Sequence, residues 1–336
     1  MFKRITLDDI RGDPYGFTYK EYIEAMGEAE AKEAFALLYR RKVHPQNQTI
    51  SVKTVYRGGD TDKYLFELSD GKYIETVCIK RRDGATVCVS TQVGCPVGCM
   101  FCESGKNGFV RNLTPAEIVQ QVVLLDRKIT RIVYMGMGEP LFNYENVIKS
   151  IHILRDRNGL NFPTDGITLS TTGPLDRLKR LREEHLKIQL TLSLHATTQT
   201  VRNKIIPGMK GYPIHEVVES VLSYSERHNR KIVIAYLLLP GINDSPTDVR
   251  NLARWFRGKN VMINLLEYNK TSASTIRKPT RQEIGDFKRR LEAAGLSVTM
   301  RVSHGGNIKA ACGQLANQHN RKTGKSNLLN TNRKER

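Results

Sequence analysis

From Ala85 onward, the sequence alternates between two patterns of apolar and polar residues. Short apolar runs are typical of buried strands, and longer stretches with apolar residues three or four positions apart are typical of amphipathic helices. The predicted strands lie at 131–135, 166–170, 188–194, 231–238, 260–266 and 297–302. The predicted helices lie near 144–157, 174–184, 214–228, 247–257 and 281–294. This alternation predicts an α/β fold in which βα units surround a parallel sheet.

The residues before this region follow other patterns. Between positions 18 and 42, apolar residues are spaced as in one or two amphipathic helices, interrupted near Gly27. Alternating runs at 50–56, 64–68 and 73–79 predict three strands, and the separators Arg57-Gly58-Gly59-Asp60 and Ser69-Asp70-Gly71-Lys72 are turn sequences. We therefore expect residues 1–84 to form a small N-terminal accessory α+β region with an antiparallel sheet, in front of a main domain at 85–302.

The composition changes again near the C-terminus. After Gln318 the residues are almost all polar or basic, ending in Arg333-Lys334-Glu335-Arg336. A segment this poor in apolar residues cannot bury enough surface to fold by itself. We expect a basic, disordered tail at 319–336, preceded by a C-terminal segment at 303–318 that contains Cys312.

Composition favours a soluble, cytoplasmic protein without a membrane partner. Hydrophobic residues make up 39% of the 336 residues, which is enough for a core. No apolar run approaches the roughly 18 residues that would indicate a membrane span. The first residues, Met1-Phe2-Lys3-Arg4, do not lead into the apolar core of a signal peptide.

The charge of the chain points to a polyanionic partner. The formal net charge is +19, which is more than solubility requires. RNA or DNA is the favoured partner because its phosphates attract such a surface, and the alternatives are a merely basic surface or an acidic protein partner. With 7% aromatic residues and one tryptophan, a sheet surface for stacking bases is not evident.

Three cysteines, Cys95, Cys99 and Cys102, stand close together in a loop rich in glycine. Thiolates at this spacing can converge on one metal centre, and in a four-iron cluster three of them leave one iron open for a further ligand. The alternative is a zinc site completed by Cys88. We disfavour it because zinc cysteines usually occur as two separated pairs or together with histidines. A disulfide is disfavoured because three cysteines cannot all pair with one another.

Small and polar residues follow several of the predicted strands. In barrels of parallel strands, active groups lie at the carboxyl ends of the strands. Gly136-Met137-Gly138-Glu139-Pro140 follows one strand, and there the glycines allow close backbone approach while Glu139 complements a cation. Ser170, Ser193, His195 and Asn269 follow three others and suit hydrogen bonds to ribose, carboxylate and adenine. The alternatives are an ordinary Gly-Pro turn and capped loop residues.

The cysteine spacing, with Phe101 before the last cysteine, resembles the signature of radical S-adenosylmethionine (SAM) enzymes. The resemblance implies an open, partial (βα)6 barrel and a [4Fe-4S] cluster held by Cys95, Cys99 and Cys102, with SAM bound to the open iron. It also implies that residues 136–140 correspond to the Gly-Gly-Glu-Pro motif that binds the amino group of SAM. The implied SAM-binding residues are Gly138, Glu139, Ser170, Ser193, Leu194, His195 and Asn269.

Further blocks, in the same order along the chain, resemble the RlmN/Cfr family of radical SAM RNA adenine methyltransferases. They are Glu75-Thr76-Val77, Cys88-Val89-Ser90-Thr91-Gln92-Val93-Gly94-Cys95, Gly108-Phe109-Val110-Arg111-Asn112-Leu113, residues 135–140, Ser193-Leu194-His195-Ala196, Leu239-Pro240-Gly241-Ile242-Asn243-Asp244 and Ala310-Ala311-Cys312-Gly313-Gln314-Leu315. The blocks span most of the chain. The last one, with its lone distal cysteine, is the most specific.

This resemblance implies methylation of carbon 2 or carbon 8 of an adenine in ribosomal or transfer RNA. Cys312 would carry the methyl group as S-methylcysteine, Cys88 would resolve the protein-RNA intermediate through a transient disulfide with Cys312, and Glu75 would accept a proton. Cys78 matches no family role and is interpreted as structural. The expected partners are RNA, with ribosomal RNA first, and an electron donor such as flavodoxin or ferredoxin. The default oligomeric state is a monomer.

The chain departs from the family in three places. The region before Glu75 is shorter than the family's usual amino-terminal domain, Glu103-Ser104-Gly105-Lys106 is more charged than the family pattern, and Asn269-Lys270 replaces an Asn-Pro. Two alternatives stay open at this point. One is a radical SAM enzyme that acts on a substrate other than RNA, and the other is a non-catalytic, metal-stabilised RNA-binding protein.

Overall fold

The computed structural model describes residues 5–106, 108–269, 276–301, 308–310 and 313–315. Ten strands of this part form one sheet, and two further strands form a small hairpin. The strands of the large sheet are β1 (Ile50–Arg57), β2 (Thr61–Leu68), β3 (Tyr73–Arg81), β4 (Gly84–Cys88), β7 (Ile129–Tyr134), β8 (Ile167–Thr171), β9 (Gln189–Ser193), β10 (Ile232–Leu237), β11 (Val261–Leu266) and β12 (Val298–Arg301). The hairpin consists of β5 (Gln92–Gly94) and β6 (Phe109–Asn112).

The order of strands in the large sheet follows the order in the chain. It runs β1-β2-β3-β4-β7-β8-β9-β10-β11-β12. The pairs from β1 to β4 are antiparallel, and the pairs from β4 to β12 are parallel. The sheet is therefore open, with β1 at one edge and β12 at the other.

Helices connect the parallel strands, as such connections require. They are α4 (Pro115–Val123), α5 (Tyr144–Arg155), α6 (Leu175–Glu183), α7 (Gln199–Ile205), α8 (Ile214–His228), α9 (Pro246–Phe256) and α10 (Arg281–Ala293). Each strand from β4 to β11 in the parallel part is thus followed by a helical connection, which makes six βα units before β12. This confirms the predicted partial (βα)6 barrel.

The two faces of the parallel sheet differ in polarity. On one face, Leu169, Leu192 and Ile234 are fully buried in a hydrophobic core that they share with residues of the connecting helices. On the other face, Ala235 lies opposite Ser193 of β9 and, on its other side, opposite Asn264 of β11. Side chains alternate between faces along a strand, so the polar side chains collect on the face away from the helices.

The region before the sheet contains α1 (Leu7–Gly12), α2 (Tyr19–Met26), α3 (Glu28–Phe35) and a π-helical turn at Ala36–Arg40. Gly27 separates α2 from α3 with a φ of 89°, so the predicted interruption is confirmed. The Phe35 ring packs edge-on against Tyr22, 4.9 Å between centroids. Arg40 donates a hydrogen bond of 2.6 Å to the carbonyl of Arg157 after α5, which joins this region to the barrel.

The structure differs from the sequence-based expectation in one respect that matters for the site. The strands β1 to β3 pair as predicted, but they do not form a sheet of their own. They continue the barrel sheet because β3 pairs with β4, with Val77 opposite Cys88. The hairpin β5–β6 and the helices α1 and α7 were not predicted, since each is too short for a periodic pattern. No helix in the described ranges has the length and apolar character needed to cross a membrane.

Candidate active site

A cavity opens at the carboxyl ends of the parallel strands. It has about 1080 Å³ of space free of protein atoms, its open mouth included. Nine of the residues predicted to bind the cluster or SAM line it: Cys95, Cys99, Cys102, Gly138, Glu139, Ser170, Ser193, His195 and Asn269. The fold thus brings together residues from loops that are far apart in the sequence.

The cysteine loop is fixed by main-chain hydrogen bonds on both of its sides. On one side, Cys95 N–H donates to the carbonyl of Gly108 (3.1 Å), which belongs to the connection between β5 and β6. A Cβ atom at Gly94 would lie 2.0 Å from that same carbonyl oxygen, so only glycine allows this approach. On the other side, Met100 N–H donates to the carbonyl of Ile205 at the end of α7 (3.0 Å).

The three thiols are suited to an iron–sulfur cluster rather than to a single ion. Burial raises the pKa of the Cys95 thiol to about 12 and that of Cys99 well above its ordinary value, so each releases a proton when it takes a metal. Among the described residues, no three His, Cys, Asp or Glu side chains are gathered closely enough to hold one metal ion. Cluster cysteines each bind a different iron and need not meet at one point.

Glu139 is held by four hydrogen bonds from neutral donors. One carboxylate oxygen accepts from the Thr171 hydroxyl (2.6 Å) and Leu141 N–H (3.1 Å), and the other accepts from Thr172 N–H (2.8 Å) and the Thr172 hydroxyl (2.9 Å). Burial raises the pKa of Glu139, and these hydrogen bonds oppose the rise. The carboxylate therefore joins the loop after β7 to the loop after β8, in addition to its charge at the cavity wall.

The ring of His195 is neutral, and one hydrogen bond fixes which of its two nitrogens carries the proton. Its backbone has a φ of 53°, and its Nδ1 accepts a hydrogen bond from Leu237 N–H (3.0 Å). Burial, with the charge of Arg202, lowers the pKa of His195 to about 3. The neutral ring must therefore carry its proton on Nε2, which makes it a hydrogen-bond donor. The ring stands edge-on to Phe101, 5.0 Å between centroids.

The remaining predicted SAM-binding residues differ in position. The hydroxyls of Ser170 and Ser193 lie 3.2 Å apart on the cavity face of β8 and β9. Leu194 is fully buried, does not line the cavity, and donates its N–H to the carbonyl of Ala235 (3.2 Å). Its side chain belongs to the hydrophobic core.

Glu75 and Cys88 lie on the cavity face of the sheet but do not line the cavity. The register pairs Val77 of β3 with Cys88 of β4, and Glu75 is two residues from Val77, so both side chains project from this face. Glu75 forms an ion pair with Lys63 of β2, 2.8 Å between Oε1 and Nζ, and both side chains are at most 10% exposed. Lys63 was not identified from the sequence.

Cys312 lies outside the described residues. Gly313, which follows it, is described and lines the cavity. The carbonyl of Gly313 accepts a hydrogen bond from Glu103 N–H (2.8 Å), and the Ser104 hydroxyl donates to the carbonyl of Leu315 (2.9 Å). The C-terminal segment therefore contacts the turn just after Cys102.

Sequence reasoning missed two features of the cavity wall. Thr171 and Thr172 bind Glu139, although their loop had been singled out for other ligands. Arg202 on α7 is fully buried and donates to the carbonyls of Leu194 and Thr172. Burial lowers the pKa of Arg202 to about 10. No sequence signal indicated Arg202, because arginine on a short helix is usually exposed.

Comparisons with known proteins agree with this geometry. A sequence model of the radical SAM superfamily matches residues 89–256, which contain the three cysteines and the first cavity loops. A "Probable RNA methyltransferase" of Rhodopseudomonas palustris is 51% identical over 259 residues, covering 77% of this chain and 72% of that protein. A "Probable dual-specificity RNA methyltransferase RlmN" of Dictyoglomus turgidum is 46% identical over 264 residues, covering 76% of each chain. The chain belongs to the RlmN/Cfr family of radical SAM enzymes.

A solved structure of a radical SAM methyltransferase has the same fold. The crystal structure of a radical SAM methyltransferase from Sphaerobacter thermophilus superposes with a TM-score of 0.85 at 35% sequence identity, covering 90% of this chain and 99% of that one. Membership confirms that the chain is a SAM-dependent enzyme. Radical SAM enzymes use SAM and a [4Fe-4S] cluster in general, and the cavity contains three thiols and polar groups that fit both.

Proposed function

We propose that this chain methylates carbon 2 or carbon 8 of an adenine in ribosomal or transfer RNA. The observation that supports this most strongly is that one cavity contains the three cluster cysteines, the polar residues after β7 to β9 and Gly313, the neighbour of Cys312. The names of the relatives indicate RNA as the substrate class, and the net charge of +19 suits a polyanion. Ribosomal RNA is the first candidate and transfer RNA the second.

In this proposal, Cys95, Cys99 and Cys102 hold the cluster, and Gly138, Glu139, Ser170, Ser193, Leu194, His195 and Asn269 surround SAM. When bound, SAM and the cluster supply the methyl group and the one-electron chemistry that an electron-poor ring carbon requires. Ser170, Ser193 and His195 offer hydroxyl and N–H groups for the polar parts of SAM. The side chain of Leu194 is in the core and its N–H donates to Ala235, so its part in SAM binding would fall to its carbonyl, which accepts from Arg202 and has a second lone pair.

Cys312 carries the methyl group and Cys88 releases the product. The Cys312 thiolate would take the methyl group of one SAM, with S-adenosylhomocysteine as the leaving group. A hydrogen atom of this S-methyl group would pass to the 5'-deoxyadenosyl group supplied by a second SAM, and the methylene carbon would then bond to the adenine ring, with one electron leaving the adduct for the cluster. A thiolate at Cys88 attacks the Cys312 sulfur, so that a sulfur–sulfur bond forms and the sulfur–carbon bond breaks. The electron pair stays on the methylated adenine, which takes up a proton. A two-electron reductant then restores both thiols.

Glu75 accepts the proton that the adenine ring carbon loses when the ring becomes aromatic again. Its carboxylate already pairs with Lys63 at 2.8 Å, in surroundings with little water. We further propose an electron donor of the flavodoxin or ferredoxin type, a cytoplasmic location and a monomer.

Mass spectrometry of the Cys312 peptide tests the covalent mechanism. The protein is expressed together with iron–sulfur assembly proteins, in parallel with the variant Cys88→Ala. We expect a methyl group on Cys312 in the parent protein and a nuclease-sensitive RNA adduct at Cys312 in the variant, because the variant lacks the thiol that releases the product. Sequencing of the trapped RNA identifies the substrate and the nucleotide.

A matched control is Cys78→Ala, since Cys78 is fully buried on β3 and has no proposed role in the reaction. This variant should give the methyl group and no adduct. An unmodified Cys312 in protein that contains an intact cluster and cleaves SAM would contradict the proposal. That result would instead indicate a radical SAM enzyme that acts on a substrate other than RNA.

A further inference from the structure

Arg202 is a fully buried cation that has no charged hydrogen-bond partner in the described part of the chain. It is the largest of the fully buried side chains. Its two terminal nitrogens donate to main-chain carbonyls, one to Leu194 after β9 (2.9 Å) and one to Thr172 after β8. Its Nε is buried and has no hydrogen-bond partner among the described residues.

A buried charge without a counter-charge is costly, so such groups are normally paired or coordinate metals. A guanidinium does not avoid this cost by losing its proton under ordinary conditions. Both partners of Arg202 are neutral carbonyls. Arg202 therefore has no negatively charged group among its hydrogen-bond partners in the described residues.

The groups whose negative charge acts on Arg202 are Cys99 and Glu139. The carboxylate of Glu139 already accepts four hydrogen bonds from neutral donors. Cys99 belongs to the cysteine loop, which is tied to the helix of Arg202 by the Met100 N–H bond to Ile205 (3.0 Å). The negative charge that balances Arg202 thus comes from the cysteine loop, where three thiols become thiolates when the cluster binds.

We propose that Arg202 supplies the buried positive charge that balances the cluster thiolates and thereby raises the reduction potential of the cluster. A fixed cation in a low-dielectric interior stabilises the reduced state more than the oxidised state, because the reduced state carries one more negative charge. Arg202 acts on the cluster through its charge and is not itself a catalytic residue. The inference rests on the proposed function only in that the three cysteines hold a cluster, and it does not depend on RNA.

The test is a potentiometric titration of the reconstituted protein, followed by electron paramagnetic resonance, without SAM or RNA. The electron comes from dithionite. The variants are Arg202→Gln, which removes the charge, Arg202→Lys, which keeps it, and the control Lys204→Gln, which removes a charge from an exposed position on the same helix. We expect a more negative midpoint potential for Arg202→Gln only, with Arg202→Lys and Lys204→Gln close to the parent.

Two results would overturn the inference. One is an unchanged potential in folded, fully loaded Arg202→Gln, and the other is an equal shift in Arg202→Gln and Arg202→Lys. If Arg202→Gln does not fold, Arg202→Met, which is similar in length, takes its place in the titration. A third result would also overturn it: Arg202→Lys folds, but neither Arg202→Gln nor Arg202→Met does. The charge of Arg202 would then be needed only for folding. A missing methyl group on Cys312 would contradict the proposed function without affecting this result.

Discussion

Two buried carboxylates, Glu139 in the loop after β7 and Glu75 on β3, are stabilised in different ways. Glu139, at the parallel end, accepts four hydrogen bonds from hydroxyl and N–H groups and has no cation within this set. Glu75, on the antiparallel strands, is paired with the ammonium group of Lys63 at 2.8 Å. Neutral donors fix a carboxylate in place and hold the loops around it. A cross-strand ion pair instead fixes the carboxylate of Glu75 against one side chain of the neighbouring strand.

The difference follows from where each strand ends. Glu139 lies in a loop at the carboxyl end of β7, where the main-chain N–H groups of the next loop are not used by the sheet. Glu75 lies within β3, and its side chain meets that of Lys63 on the neighbouring strand β2. Its main chain is used by other side chains, because its N–H donates to Met137 Sδ (3.4 Å) and its carbonyl accepts from the Ser90 hydroxyl (2.6 Å). Main-chain N–H and hydroxyl groups thus hold the carboxylate at the cofactor end of the molecule, whereas a cross-strand ion pair holds the proposed proton acceptor.

The largest expected effect is that of Lys63→Met, which breaks the buried ion pair between Lys63 and Glu75. Removal of one partner of a buried pair typically costs about 3–5 kcal/mol. We expect a loss of this size in the free energy of unfolding, measured by urea denaturation. The double variant Lys63→Met/Glu75→Leu should recover most of the loss, because it removes both charges.

Lys53→Met is the matched control for this change. Lys53 pairs with Glu67 across β1 and β2 at 2.9 Å, but its side chain is 53% exposed. Its loss should leave the midpoint of denaturation nearly unchanged. If Lys63→Met behaved like Lys53→Met, the Glu75 site would not depend on its cation, and the contrast between the two carboxylates would lose its physical basis.

The second effect in size is that of Glu139→Ala, which removes the acceptor of four hydrogen bonds. The N–H groups of Leu141 and Thr172 remain buried without a partner, and each such group costs about 1–3 kcal/mol. We expect a large loss in unfolding free energy and a loss of SAM binding by equilibrium dialysis. At the Glu75 site, removing the second charge recovers stability. In the Glu139→Ala background, by contrast, no second substitution that removes a single cation should recover the lost free energy of unfolding. A substitution that did so would show that Glu139 also depends on a charge.

These two sites also show which features of the fold and of the site can be predicted from the sequence alone. The periodic patterns predicted α8 at its observed bounds and β8 and β9 within two residues, because the apolar pattern of an element is contained in its own sequence. The cysteine loop was identified from the spacing of its cysteines, and the residues at strand ends from their place after the predicted strands. The Lys63–Glu75 pair was missed because it depends on the register between β2 and β3. The continuation of β3 into the barrel sheet was missed because pairing partners are not encoded in one strand's own pattern.

The third prediction concerns His195 and the pH dependence of stability. Burial lowers the pKa of His195 to about 3 in the folded protein, against an ordinary value of 6.5. The unfolded chain therefore binds more protons between these values, so stability is fully present above pH 6.5 and falls as the pH is lowered. The slope reaches at most about 1.4 kcal/mol per pH unit for this one group.

His195→Asn should flatten the stability profile between pH 6.5 and pH 5, because asparagine does not titrate and tolerates a positive φ. The measurement is urea denaturation at several pH values on protein without a cluster. The matched control is His185→Asn, which makes the same substitution at an exposed histidine. An unchanged slope in His195→Asn would mean that His195 is not held neutral at the cofactor end.

The smallest expected effect is at Tyr56, which contacts the cation of the Glu75 site from its other side. The Lys63 ammonium lies 5.1 Å from the centre of the Tyr56 ring, and Tyr56 is 39% exposed. A cation over an aromatic ring contributes about 0.5–1 kcal/mol at exposed sites. Tyr56→Leu should lose about this amount of unfolding free energy, whereas Tyr56→Phe should stay close to the parent because it keeps the ring.

A double-mutant cycle separates the ring–cation contact from simple packing. In the Lys63→Met background, Tyr56→Leu and Tyr56→Phe should differ by less than they do in the parent, because no cation remains to contact the ring. If the difference is the same in both backgrounds, the ring acts only through its apolar surface. Lys63 would then be held by Glu75 alone, and the antiparallel site would consist of a single ion pair rather than a cation shared between a carboxylate and an aromatic ring.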